Sequence, residues 1–372
     1  MTAASPRLRI LTWHVHGSYL WYLSHLGHDL FLPTRPGGEN GYGGRAGTFP
    51  WPANVVEVPA GEVADLDVDV VVFQSVRHWL EDQHELLTPA QRTRPRIYVE
   101  HDPPRESPTD TRHPVDDPDV LVVHVTAFNR LMWDNGAVPT TVVDHGVALP
   151  DGVRWTGEFE RGLVVVNHLA RRGRRLGADV FEAVRREVPL DLVGMGSEEL
   201  GGLGEVKPPG LPAFAARYRF LFNPIRWTSL GLAVCEAMMA GLPVVGLATT
   251  EMAAAVENGV SGYVDTDLDR LVARMQGLLR DPGEARRLSD GARRRAEQRF
   301  SIARFVDDWD AVLRRVTATR GGPGPGRAGA SGPATSPAGE RRTSGSPPAG
   351  GRSPSATAPR RSSSRSPAAD AR

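Results

Sequence analysis

The run Asn223-Pro-Ile-Arg-Trp-Thr-Ser-Leu-Gly-Leu-Ala-Val-Cys-Glu-Ala-Met-Met-Ala-Gly-Leu-Pro-Val-Val245 holds a loop, a helix and the start of the strand that follows. A strand is expected to end at Phe222, and a loop follows it. A helix is expected to open near Leu230 or Gly231 and run through Ala240, and the next strand to begin at Pro243. Gly231 permits close backbone approach. The free N–H groups of a helix start make an anion site. Glu236 lies about one turn inside, where a carboxylate can accept the paired hydroxyls of a ribose. A plain core helix, with Leu232, Cys235 and Met239 buried and Glu236 in water, reads the same spacing equally well.

The same alternation extends in both directions. Strands are expected at Leu8–Trp13, Asn54–Val58, Val68–Phe73, Arg96–Glu100, Val120–Val125 and Thr141–Val143. A second series runs Leu163–Val166, Leu190–Val193, Arg219–Phe222, Pro243–Gly246 and Gly262–Val264. Several are unbroken Val/Ile/Leu runs, as suits strands buried on both faces of a parallel sheet. Helical stretches such as Ala178–Arg186 lie between them. The fold class is therefore α/β, with two doubly wound domains: 1–150, and 151–300 beyond a Pro/Gly-rich boundary near Val147–Glu160. Two further helices, Pro282–Arg299 and Ser301–Val316, follow. Phe305, Trp309, Val312 and Val316 form a stripe on the last one that needs a partner surface.

Composition narrows the function classes. The 372 residues are 40% apolar and 24% charged, with one cysteine, Cys235. That excludes a disulfide framework and a Cys-rich zinc ribbon. There is no spanning apolar run and no signal-peptide core, so a cytoplasmic location is expected. The net charge is zero, but residues 321–372 hold eight Arg against two acidic residues, so the rest is acidic overall. A nucleic-acid-binding core is not expected. Residues 320–372 are mostly Gly, Pro, Ser, Ala and Arg, and should form a disordered tail. A basic tail suits weak peripheral contact with an anionic membrane, although an inert extension is the simpler reading. One lysine, Lys207, stands against 43 arginines, so any phosphate held by a side-chain cation should be held by arginine.

Asn167-His-Leu-Ala-Arg-Arg-Gly-Arg-Arg-Leu-Gly177 follows a predicted strand directly. Its Arg171, Arg172, Arg174 and Arg175 are either a solvated basic loop or a clamp for a leaving diphosphate. Gly194-Met195-Gly196 is a phosphate-approach turn or a simple tight turn. All eleven histidines precede residue 169. Neither a His-Glu-x-x-His motif nor tight Cys/His spacing accompanies them, so no metal site is expected. Trp13, Tyr19, Trp21 and Tyr22 near the first loop suit core packing or a sugar face. No P-loop and no Gly-x-Ser-x-Gly elbow occurs.

The Pro224–Val245 stretch resembles the signature of glycosyltransferase family 4, whose members have the GT-B fold. Pro224, Arg226, Ser229, Gly231, Leu232, Glu236, Ala237, Met238, Gly241, Pro243, Val244 and Val245 match it. Glu251 and Asn258–Val264 resemble the close that follows. The family's pair of glutamates, separated by seven intervening residues, is broken here. The second maps to Glu236, and Thr228 stands where the first would lie beside the donor sugar. Leu26–Asp29 resembles the lead-in to the family's second strand. Arg96–Pro104 resembles a strand ending in a histidine near the donor sugar, here His101, flanked by Glu100 and Asp102 as further acid/base candidates. Asp144–Val147 resembles the stretch before the interdomain linker.

The resemblance implies two Rossmann-like domains facing across a cleft, with the final helix (301–317) packing back on the first. It implies transfer of a sugar from a nucleotide-diphosphate-sugar to a carbohydrate or lipid-linked acceptor, with retention and without metal or other cofactor. Cell-envelope or exopolysaccharide assembly is the class-level expectation. It places His101, Arg172 and Arg175 in catalysis. It assigns donor binding to Gly17, Asn167, His168, Arg171, Arg174, Arg226, Thr228, Ser229, Leu230, Gly231, Leu232 and Glu236. A GT-B nucleotide-sugar epimerase and a non-catalytic sugar-binding scaffold are the alternatives.

Overall fold

A computed structural model describes residues 7–47 and 49–318. The expected tail, 320–372, lies outside the described residues. The first half builds a seven-stranded sheet from β1 (Arg9–Thr12), β2 (Asp29–Thr34), β3 (Val55–Pro59), β4 (Val70–Phe73), β5 (Arg96–Glu100), β6 (Val120–His124) and β7 (Thr140–Val142), in the order β3-β2-β1-β4-β5-β6-β7. The second half builds a five-stranded sheet from β8 (Phe159–Val165), β9 (Leu190–Val193), β10 (Tyr218–Asn223), β11 (Val244–Leu247) and β12 (Gly262–Asp265), in the order β12-β11-β10-β8-β9. Every neighbouring pair is parallel. Every residue of β4, β6, β10 and β11 is buried, and the apolar sequences of β4 and β11 reflect this.

One strand escapes the expected set. β2 contains Pro33, and an internal proline normally argues against a central strand. Its pairing with β1 ends at Leu11↔Phe31, whereas its pairing with β3 continues through Pro33↔Val58. Pro33 therefore lies past the last β1 pair, where no ladder N–H is required of it. Other boundaries move by a few residues. The helix expected from Leu230 or Gly231 begins at Leu232, with Gly231 as its N-cap.

The Pro282–Arg299 helix starts as its Asp281 cap suggests, with that carboxylate accepting the N–H groups of Gly283 (2.9 Å) and Glu284 (3.0 Å). The next helix, Ile302–Ala318, buries Phe305, Trp309, Val312 and Leu313. This stripe meets the first half. The Phe305 ring lies 5.8 Å from Tyr19, and a Cβ on Gly146 would come within 2.1 Å of Phe305. Arg304 donates to the carbonyls of Asp144 (2.8 Å) and His145 (2.6 Å). Fully burying an aromatic side chain is worth roughly 2–3 kcal/mol, so Phe305 and Trp309 fasten the helix far more firmly than its surface ion pairs do. Buried side chains from both halves join in one apolar core that includes Leu20, Leu23, Val147, Cys235, Phe300 and Trp309.

Candidate active site

In wound parallel sheets, ligands bind beyond the carboxyl ends of the strands where the winding direction reverses. The reversal falls between β1 and β4 in the first sheet, and between β8 and β10 in the second. Four loops are thereby singled out: those after β1, β4, β8 and β10. The loop after β5 joins them.

In the first half, β1 leads to His14, His16 and Gly17, and a short helix, Gly17–Leu23, begins there. A Cβ on Gly17 would lie 3.1 Å from both His14 and Phe49, so the chain is tight at this point. His14 Nδ1 donates to the Gly44 carbonyl at 2.5 Å and is turned away. His16 is open to solvent and meets His101 edge to face, with ring centroids 4.5 Å apart. His101 donates from Nε2 to Gln74 Oε1 (3.2 Å), and the Gln74 amide is fixed by donating to Thr12 Oγ1 (3.0 Å) and the Trp13 carbonyl (2.8 Å). Burial, with His16 and His145 nearby, holds the His101 imidazole well below the usual histidine range, so it is neutral at pH 7. Gln74, which sets its tautomer, has no signature in sequence. Glu100 points to the opposite face. It pairs with His113 (3.2 Å), leaving Asp102 as the carboxylate on the His101 side.

In the second half, the loop after β8 splits its functional candidates. Asn167 Oδ1 accepts the Met195 N–H (3.0 Å), and the His168 N–H donates to the Met195 carbonyl (2.6 Å). Both residues brace the Gly194–Gly196 turn. A Cβ on Gly194, at φ +134°, would meet the Val166 carbonyl at 2.6 Å. Arg226 forms a bidentate pair with Asp179 (2.6 and 2.8 Å), and Arg174 joins the same carboxylate at 2.5 Å. These two arginines, expected on the donor, thus lock the loop after β10 onto the loop after β8. Arg226 N–H and Trp227 N–H both donate to the Arg175 carbonyl (3.1 Å each) and complete the lock. Arg171 is exposed.

Arg172 and Arg175 differ. Neither makes an ion pair among the described residues. Burial and the neighbouring Arg175 lower the Arg172 guanidinium from its ordinary value, while Asp102 opposes that shift. Burial and Arg105 do the same to Arg175, again opposed by Asp102. Arg172, Arg175, Arg105 and Asp102 therefore share one neighbourhood, to which His16 also belongs. Asp102 pairs with Arg105 at 2.5 Å, and its Oδ1 lies 3.5 Å from the Thr228 hydroxyl. That contact brings the loop after β10 into the same neighbourhood.

The rest of the β10 loop is buttressed by the first half. Ser229 Oγ accepts from Asn129 (3.1 Å), and the Leu230 carbonyl accepts His145 Nε2–H (2.9 Å). These expected donor residues thus face protein. Trp227 Nε1 donates to the Pro104 carbonyl (2.8 Å). Gly231 is exposed, and a Cβ there would meet nothing within 4 Å. The first-turn amides of the Leu232–Ala240 helix, which lack intrahelical acceptors by construction, follow this open point. Leu232 is half-buried.

Glu236 is neither solvated nor free. It is 6% exposed and accepts a 2.7 Å hydrogen bond from Tyr22 of the first half. Burial raises its carboxyl to about 7. Only Oε1 is engaged by Tyr22, and that partner was not apparent from sequence. Trp13, Tyr19 and Tyr22 are buried, as core packing requires, while Trp21 is half-buried against Phe49 and Trp51. Among the described residues, no group of three His, Cys, Asp or Glu side chains is disposed to hold a metal ion. No helix among them is long and apolar enough to cross a membrane.

Residues 160–281 match the family model described as Glycosyl transferases group 1. The chain is 27% identical to a sucrose synthase of Denitrovibrio acetiphilus over 169 residues, covering 40% of this chain and 21% of the relative. It thus spans about a fifth of that relative's length. Among solved structures, sucrose-phosphate synthase from Thermosynechococcus elongatus superposes with a TM-score of 0.64 at 16% identity, covering 84% of this chain and all of that one. Anabaena HepE, solved with UDP and glucose, superposes with a TM-score of 0.59 at 13% identity, covering 83% of this chain and all of that one. The fold is GT-B.

Proposed function

We propose that the chain is a glycosyltransferase that moves a sugar from a nucleotide-diphosphate-sugar to a carbohydrate or lipid-linked acceptor, with retention and without a metal. The observation that carries this reading is the meeting of Arg172 and Arg175, from the loop after β8, with the Thr228 loop around one point, Asp102. Two half-buried guanidinium groups without carboxylate partners are a costly arrangement unless an anion arrives. A diphosphate leaving group gains negative charge as the glycosidic bond breaks, and fixed guanidinium donors stabilise it there. The same leaving group then assists removal of the acceptor proton.

In this reading Glu236 offers its second oxygen to the ribose, and the amides beyond Gly231 face the phosphates. His101, neutral with Nδ1 unprotonated, is a hydrogen-bond acceptor beside the sugar. Cytoplasmic polysaccharide assembly is the setting that fits such an activity. The group 1 domain match favours transfer over epimerisation. Thr228, in place of an acid, is the feature that favours a non-catalytic scaffold.

The test is calorimetry with a panel of UDP-, GDP- and ADP-sugars, followed by assay of nucleotide release with mixed sugar acceptors. Binding of one donor and acceptor-dependent release support transfer. Binding without release identifies the scaffold. Absence of any binding overturns both.

A further inference from the structure

Thr228 brings no charge to the place where the sugar of the donor is expected, yet the structure puts a carboxylate beside it from the other half of the chain. Asp102 Oδ1 lies 3.5 Å from Thr228 Oγ1, at the outer limit of a hydrogen bond. Asp102 is well held. Its N–H donates to Glu100 Oε1 (2.9 Å), its carbonyl accepts Trp133 Nε1–H (2.8 Å), and Arg105 grips Oδ2 at 2.5 Å. The two loops are tied beside it by the Trp227–Pro104 hydrogen bond of 2.8 Å. The Asp102 side chain remains 29% exposed, so a ligand can still reach it.

We propose that Asp102 supplies, across the cleft, the sugar-binding carboxylate that the second half lacks at position 228. The assignment rests on the transferase reading above. A carboxylate has about four acceptor sites. Arg105 uses Oδ2, and the long Thr228 contact uses Oδ1 weakly, so hydroxyls of the transferred sugar find acceptors there. The surroundings argue for this over two plainer roles. A carboxylate near Arg172 and Arg175 opposes diphosphate binding unless it gains hydrogen bonds from another part of the donor. Were Asp102 only a placeholder for phosphate, removing its charge would tighten free nucleotide and leave the sugar's contribution unchanged. If it served only to hold Arg105, its loss would weaken nucleotide and nucleotide-sugar alike.

The readout is the ratio of affinities for nucleotide-sugar and free nucleoside diphosphate, measured by calorimetry on the full chain. Asp102→Asn should lower that ratio about 10- to 100-fold, as expected for lost hydrogen bonds to a charged acceptor, with free nucleotide bound as well as before or better. Thr228→Glu in the Asp102→Asn background should recover most of the loss. A deoxy-sugar donor lacking the contacted hydroxyl should lose affinity in the wild type and not in Asp102→Asn. Thermal unfolding confirms that each variant is folded. A ratio unchanged by Asp102→Asn, or equal losses for nucleotide and nucleotide-sugar, overturns the assignment while leaving the transferase reading intact. Wild-type protein that binds nucleotide but no nucleotide-sugar overturns both.

Discussion

Arg174 and Arg226 occupy one side of the junction between the β8 and β10 loops, and Arg172 and Arg175 the other. The first pair shares Asp179, which offsets one of its two charges. The second has no ion-pair partner among the described residues and lies half-buried near Arg105 and Asp102. In sequence, Arg171–Arg175 is one basic run. In three dimensions Gly173, with φ of +57° and ψ of −140°, breaks the helix, and Asp179 engages Arg174 but neither Arg172 nor Arg175. The difference separates arginines that build the loop from arginines that wait for a ligand. Charge density along the chain does not distinguish the two, but the presence of a carboxylate partner does.

The largest expected effect comes from the unpaired side. Arg172→Ala combined with Arg175→Ala should lower turnover by about 10²- to 10³-fold or more, the scale of losing fixed donors to developing charge. The melting temperature should barely move, because no ion pair is lost. A large fall in melting temperature would place these arginines with the structural pair.

Glu236 gives the next effect. Its folded value of about 7 exceeds the ordinary carboxyl value of 4.5 because it is buried. The native state therefore holds its proton more tightly than the unfolded chain. Stability falls as pH rises from 4.5 toward 7, and Glu236→Gln should exceed the wild type in stability at pH 8 by on the order of 1–3 kcal/mol. Nucleotide affinity should move the opposite way in the wild type, rising through pH 7 as the carboxylate forms, and this component should vanish in Glu236→Gln. A wild type and variant with identical pH profiles would remove the ribose assignment.

The paired side should respond in stability. Asp179→Asn leaves Arg174 and Arg226 without their anion. The Asp179 side chain is 37% exposed, so the loss is discounted for solvent to about 1 kcal/mol in chemical denaturation. Arg174→Ala, at a side chain 76% exposed, should change stability by less than about 0.5 kcal/mol.

Much of this arrangement was legible in the chain. Unbroken runs such as Val120–Val123 identify doubly buried strands, and the Phe305/Trp309 stripe identifies a helix that requires a partner. β2 was not among the expected strands, and the unequal reach of its two neighbours accommodates its Pro33. The site was legible as loops rather than as roles. Glu236 and the arginine run could be named, but the Tyr22 cap on Glu236, the Gln74 support of His101 and the Asp179 lock on Arg226 join residues 27 to 214 positions apart. No local spacing encodes such contacts. The Asn167–His168 pair, expected on the donor, also braces the next turn, through Asn167 Oδ1 and the His168 N–H on Met195.

The account is tested most directly by the affinity for free nucleoside diphosphate across three single variants at fixed ionic strength. Arg172→Ala and Arg175→Ala should each weaken binding by about tenfold or more, consistent with a lost charge-assisted hydrogen bond. Arg174→Ala should stay within about twofold of the wild type, as a side chain already held by Asp179. Equal affinities in all four proteins, or a loss confined to Arg174→Ala, would contradict the division on which the proposed donor site stands.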